Sequence, residues 1–243
     1  LPEFANPDVM GEGTDWQEAI FESAPITSHQ LTFMGGGEKS SVTLSGNYFS
    51  QDGIVGGDRA NFERTTIRLN SSNDLKSWLT IGTNLGFTWL QRDAILENTQ
   101  YDSPIVRALN MDPVTPIKKA DGTYAYSSYS STDVANPVNA IEQTFNEWTT
   151  NRFVGSVYGD FKLAKGLTFR SAYSLDITFA VQRIFYPKFD LSNVPSISDA
   201  PPEEKSLTNA VTVANNNWRN NQWENVLTYQ TNFNNLHDLT LIA

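Results

Sequence analysis

The sequence predicts an all-β fold: a segment of an antiparallel, up-and-down transmembrane β-barrel of about eight strands, with long loops at one end. Three observations predict it. Long stretches alternate apolar and polar residues with a period of two, as strands do when successive side chains point to opposite faces. The connections alternate between short turns and long loops, the pattern of a barrel with trimmed turns on one side. The face opposite the apolar one carries Thr, Ser, Asn, Gly and Gln with occasional Arg and Asp, which suits a wet interior.

The elements follow in order. Residues 1–28 read as an irregular loop on the long-loop side, with one short helix over Trp16–Phe21 capped by Thr14 or Asp15. A hairpin from His29 to Ile54 comes next. Leu31 and Phe33 alternate with Gln30 and Thr32; Gly35, Gly36 and Gly37 break the strand; Glu38-Lys39 turn; Val42, Leu44, Gly46 and Tyr48 share the returning apolar face. A third strand spans about Asn61–Asn70, and Ser71-Ser72-Asn73-Asp74 reads as a turn.

The fourth strand alternates most clearly. Leu79, Ile81, Leu85, Phe87 and Trp89 share the face expected to meet lipid, and Asn84 lies on the other. Between Trp78 and Trp89 a strand tilted by about 45° crosses a bilayer's apolar thickness of about 25 Å, with tryptophans at the two interfaces. A long excursion from about 92 to 150 holds a helix over Ile105–Leu109 with Pro104 in its first turn, an Asp121-Gly122 turn and a Tyr/Ser-rich run. Strands five and six flank a turn at Ala164–Gly166. A second long loop covers about 183–216, then a seventh strand, Trp218–Phe233, and an eighth from His237. The barrel portion is thus 29–243.

Composition narrows the chemistry. The chain has 243 residues, no Cys and a net charge of -10. The absence of Cys removes disulfides and thiolate sites, and the acidic balance argues against nucleic acid. Charged residues make up 18% and aromatics 12%; a soluble domain carries about 25% charged residues. The chain starts without Met or a signal segment and stops inside an apparent strand, so it reads as an internal piece of a longer polypeptide.

No constellation of catalytic or metal-ligating residues emerges. His29 and His237 sit apart at strand starts, and no cofactor is expected. Arg68, Asn84, Arg152, Asp160, Arg170, Asp176 and Glu224 fall on the polar faces and are expected to line the lumen, the carboxylates pairing with the arginines. Tyr124, Tyr126 and Tyr129, with Trp148, are the candidates for ligand contact, because flat rings and hydroxyls suit sugars or peptides. A loop packing on its own barrel mouth explains the tyrosines equally, and Trp148 and Trp218 also fit interfacial anchors.

Several stretches carry a resemblance. Thr14-Asp15-Trp16-Gln17, Ile20-Phe21 and Ala24-Pro25 precede His29, Leu31, Gly35-Gly36 and Glu38-Lys39. Ser45-Gly46, Tyr48-Phe49 and Gln51-Asp52-Gly53-Ile54 follow, then Ala108-Leu109, Pro113 through Pro116 and Asp121-Gly122-Thr123-Tyr124. Glu224-Asn225, Leu227-Thr228-Tyr229, Phe233, His237 and Leu239 complete the set. In this order they resemble the SusC/RagA family of TonB-dependent outer-membrane transporters of Bacteroidetes.

The resemblance implies an early stretch of a barrel of about 22 strands, spanning the outer membrane many times and surrounded by its lipid. It implies import of oligosaccharides or peptides, not enzymatic chemistry. Its implied partners are a SusD-like surface lipoprotein acting as a lid, the rest of the same barrel, and TonB acting through a plug domain absent from this chain. From the residues alone a rival stays open: a secreted β-sandwich module that binds glycans or acts as an adhesin, its apolar face covered by a second sheet.

Overall fold

The structure is a computed structural model, describing residues 6, 11–95, 103–127, 136–143, 145–186, 189–190, 205–206, 208–234 and 236–243. Its body is one antiparallel sheet of eight long strands. These are β1 (Ile26–Gly37), β2 (Ser40–Asp52), β3 (Asn61–Lys76), β4 (Leu79–Asp93), β5 (Phe145–Ala164), β6 (Leu167–Tyr186), β9 (Ala210–Phe233) and β10 (His237–Ile242). Each pairs with the next in the chain, apart from a two-stranded ribbon, β7 (Phe189–Asp190) and β8 (Lys205–Ser206), between β6 and β9. Helices α1 (Pro104–Asn110) and α2 (Pro137–Gln143) lie between β4 and β5.

The register aligns the alternating sequences into two continuous faces. Leu44, Leu69, Leu85, Gly155 and Leu175 form one row across β2 to β6. Gly46, Ile67, Phe87, Phe153 and Ile177 form the next. Two aromatic rows bound this apolar face. Near the short turns Trp78 stacks on Phe161 at 6.4 Å, and Phe161 lies 6.1 Å from its cross-strand partner Phe169. Toward the long loops Tyr48, Trp89 and Phe179 share one row. On β9 the apolar stretch of this face runs from Phe233 to Trp223, broken by Thr231 and Asn225. Beyond it Asn221, Arg219, Asn217 and Asn215 continue toward the long loops.

Among the described residues nothing covers this face. Ile81 is 38% exposed, Phe87 44% and Trp223 71%, and Leu79, Leu85 and Trp89 are only half-buried. Among the described residues the only other sheet is the two-stranded ribbon, so the covering layer that a sandwich requires is missing.

The strands are longer than their sequence signals. Gly35–Gly37 stay paired with Ser40–Val42 and do not break β1. Glycine is needed at Gly36, because a Cβ there would lie 2.4 Å from the Ser40 carbonyl oxygen. Ser71–Asp74 also stays in β3, held on both sides, and Asp74 accepts a hydrogen bond from Thr80 Oγ1 at 2.5 Å. Three tight connections shrink to 38–39, 77–78 and 165–166 and the fourth stays at 234–236, whereas the long ones become 53–60, 94–144 and 187–209. Small polar residues favour bends in isolation, but a strand paired on both sides satisfies their backbone groups better.

Among the described residues the long connections build one buried core. Trp16, Ile20, Val55, Ile95, Ala108, Met111 and Ile141 pack together, drawing three separate chain segments into a unit at the long-loop end. In place of the short helix expected over 16–21 there is a single turn. Asp15 Oδ1 accepts the Gln17 and Glu18 amides, and bonds run from Ala19 to Asp15 and from Phe21 to Gln17. Glu22 then bonds to Ile54 and Phe21 bridges to Val55, which diverts the chain before a second turn can form.

Candidate functional site: the concave face and its rim

The face opposite the apolar one is concave. One cavity of about 710 Å³ is lined by residues from β1 (Gln30) through β9 (Trp218, Asn220), so the sheet must curl around it. Alternation places Ser45, Asn47, Arg64, Thr66, Arg68, Thr88, Thr150, Arg152, Asp176 and Thr178 on this wall. Arg68, Asn84 and Arg152 also border a second hollow of about 350 Å³ on the same side.

Charge on the wall is partly balanced in place. Arg152 donates to Asp176 through Nε at 2.9 Å and Nη2 at 2.7 Å. Arg170 donates to Asp160 through the same two atoms, each at 2.6 Å, and its guanidinium lies 4.6 Å over the Tyr158 ring. Tyr158 stands directly opposite Gly82, and a Cβ on Gly82 would run into its ring, so the glycine makes room for the Tyr158–Arg170–Asp160 stack. Asn84 Nδ2 donates to Ser156 Oγ at 3.3 Å.

The expected pairing holds for Asp160 and Asp176 but not throughout. Glu224 accepts from Gln222 Nε2 at 2.7 Å, and Arg68 has no ionic partner among the described residues. The register separates them: Arg68 is on β3 and Glu224 on β9, with three strands between.

At the rim, the tyrosines are engaged within their own unit. Tyr124 donates to Glu142, and the Lys118 ammonium lies 4.8 Å over its ring. Burial and the Glu142 carboxylate push the Tyr124 phenol well above its ordinary pKa, so it stays neutral. The Tyr126 hydroxyl accepts from Asn139 Nδ2 at 3.1 Å, with Lys119 5.9 Å over the ring. Tyr129 lies outside the described residues. Trp148 and Trp218 fall on the concave side, opposite the face of Leu85 and Phe87, so neither anchors that apolar face; Trp148 Nε1 donates to Thr150 Oγ1 at 2.9 Å.

Two residues that hold the rim together escaped the sequence reading. Asp112 accepts from the Thr115 amide at 2.8 Å, from Thr115 Oγ1 and from Ser127 Oγ, while its own carbonyl takes the Trp16 indole N–H at 2.8 Å. Burial works against its ionisation, but the bonds from Ser127 and Thr115 outweigh that and hold its pKa below the usual value. Asn136, fully buried, caps α2 through Oδ1 and donates to the Ile117 and Ala125 carbonyls at 2.9 Å each. The capping signal, Asn136 before Pro137, was present in the sequence.

No protein-family model matches the chain. It is 28% identical over 235 residues to TonB-dependent receptor P3 of Formosa agariphila, covering 95% of this chain and 22% of that receptor. It is 26% identical over 176 residues to TonB-dependent receptor SusC of Bacteroides thetaiotaomicron, covering 64% of this chain and 17% of SusC. Among solved structures, the RagAB peptide transporter superposes with a TM-score of 0.75 at 22% identity, covering 96% of this chain and 25% of that one. The chain spans about a fifth of the length of the curated relatives it matches. The resemblance to SusC/RagA transporters read from the sequence is borne out, and the fold is that of a stretch of such a barrel wall.

Proposed function

We propose that this stretch forms part of the wall of an outer-membrane, TonB-dependent importer of oligosaccharides or peptides. Leu79, Ile81, Leu85, Phe87 and Trp89 touch acyl chains. Arg68, Asn84, Arg152, Asp160, Arg170, Asp176 and Glu224 face a hydrated lumen. The rim, with Tyr124, Tyr126 and Trp148, borders the outer vestibule and receives a SusD-like lipoprotein. Energy reaches the cargo from TonB through a part of the longer protein outside these residues. The wall itself performs no covalent chemistry.

One observation carries the reading: among the described residues the sheet's apolar face is uncovered between two aromatic rows while its concave face is polar. Uncovered apolar surface of that extent is costly in water and favourable in lipid, and aromatic rows at both edges match the two interfaces. The likeness to proteins named TonB-dependent receptors supports the TonB-dependence of this reading.

The test is uptake. Cells producing the full-length protein are given fluorescent oligosaccharides and peptides, with and without TonB. The reading expects one of these classes to accumulate only when both the protein and TonB are present. Accumulation that ignores TonB, or recovery of the protein in the soluble fraction, contradicts it.

A further inference from the structure

The three carboxylates expected on the concave wall already have partners, and two arginines of that wall do not share in them. Asp176 is taken by Arg152, Asp160 by Arg170, and Glu224 by the Gln222 amide. Arg64 and Arg68 are left over. Among the described residues Arg68 has no partner, and Arg64 meets only the Phe49 ring, at 5.6 Å. Both are exposed, and they stand four residues apart on one face of β3, about 13 Å along the strand.

The cavity they line holds three arginines, Arg64, Arg68 and Arg152, against one acid, Asp176. Its side chains thus carry a net charge of +2 (three minus one), in a chain whose net charge is -10. A guanidinium stays charged at every relevant pH, and its fork of donors matches the paired oxygens of an oxyanion. Trp218 lines the same cavity, 51% exposed, with Gln30, Asn47 and Asn220 around it.

We propose that this cavity is an oxyanion-binding site. Arg64 and Arg68 hold carboxylate, sulfate or phosphate groups along one elongated ligand, and Trp218 lies against its less polar part. The oxyanion comes either from a solute in the lumen or from an acidic segment of the longer polypeptide resting on this wall. The inference needs only a wetted concave face, so it stands or falls apart from the import reading.

The test uses the full-length protein in detergent, with Trp218 emission isolated as the difference from a Trp218→Phe variant. Quenching by iodide, an anion, is compared with quenching by neutral acrylamide at fixed low ionic strength. The Arg64→Gln/Arg68→Gln variant should lower the iodide constant by about twofold or more, because a focused positive potential concentrates anions. Acrylamide quenching should not change, and Arg64→Lys/Arg68→Lys should restore most of the iodide effect. If a segment of the same polypeptide supplies the oxyanion, iodide quenching is weak from the start and the Gln variant melts at a lower temperature than the Lys variant. Equal quenching and equal melting temperatures in all three proteins overturn the proposal.

Discussion

Arg152 and Asp176 face one another from β5 and β6, two residues from being directly opposed, and their side chains close that gap with two hydrogen bonds of 2.9 and 2.7 Å. The paired residues proper are Arg152 with Thr178 and Val154 with Asp176. The ion pair is therefore a diagonal brace across two strands of the concave wall.

The brace should contribute little to stability. The two side chains are 52% and 30% exposed, and exposed pairs are worth about 0.2–1 kcal/mol. A double-mutant cycle of Arg152→Ala and Asp176→Ala, read by urea unfolding of the full-length protein in lipid vesicles, should return a coupling in that range. Raising the salt concentration should shrink it.

The two faces of β4 should respond oppositely to charge. Leu85 sits in the apolar row between Leu69 and Gly155, and Asn84 beside Ser156 on the concave side. Leu85→Arg should cost about 2–4 kcal/mol near the bilayer midplane and visibly reduce assembly. Asn84→Asp should assemble normally. An outer-membrane insertion assay followed by heat-shift electrophoresis reads both.

The rim unit should depend on Trp16 independently of the barrel. Trp16 is 3% exposed in the core with Ile20, Met111 and Ile141, and its indole binds the Asp112 carbonyl. Trp16→Ala should cost that unit about 3–5 kcal/mol. Hydrogen exchange should then speed up over residues 103–127, while β4 to β6 keep their protection.

Acid should loosen the same unit through Asp112. Its folded pKa lies below its ordinary 3.8, so its bonds to Thr115 and Ser127 contribute stability that is fully present above that value. The contribution is lost as pH falls through the folded pKa. Hydrogen exchange of residues 103–127, corrected for intrinsic rates, should accelerate below about pH 3.8. Asp112→Asn should remove that step and cost about 1 kcal/mol at neutral pH.

The sheet was legible in the sequence because a period of two survives anywhere that one face is apolar and the other polar. Leu79 to Trp89 shows it plainly, and the structure keeps that run in unbroken alternation between the apolar face and the concave one. Strand ends were not legible. Gly35–Gly37 and Ser71–Asp74 carry the composition of turns, and only pairing on the neighbouring strand keeps them extended. Pairing partners were half legible. Arg170 and Asp160 lie on successive strands joined by a tight turn, so they meet; Arg68 and Glu224 lie strands apart, and no local rule reveals that. The rim was least legible, since Trp16 and Asp112 meet across 96 residues of chain.

The account rests on water touching one face of the wall and acyl chains the other. Single cysteines from Leu79 to Trp89, in a stretch with no native cysteine, can carry nitroxide labels in the full-length protein reconstituted in lipid. Collision with oxygen, which dissolves in lipid, should peak at Leu79, Ile81, Leu85 and Phe87. Collision with a water-soluble nickel chelate should peak at Thr80, Asn84 and Thr88. Loss of that alternation, or odd-numbered positions shielded from both reagents, would contradict the account.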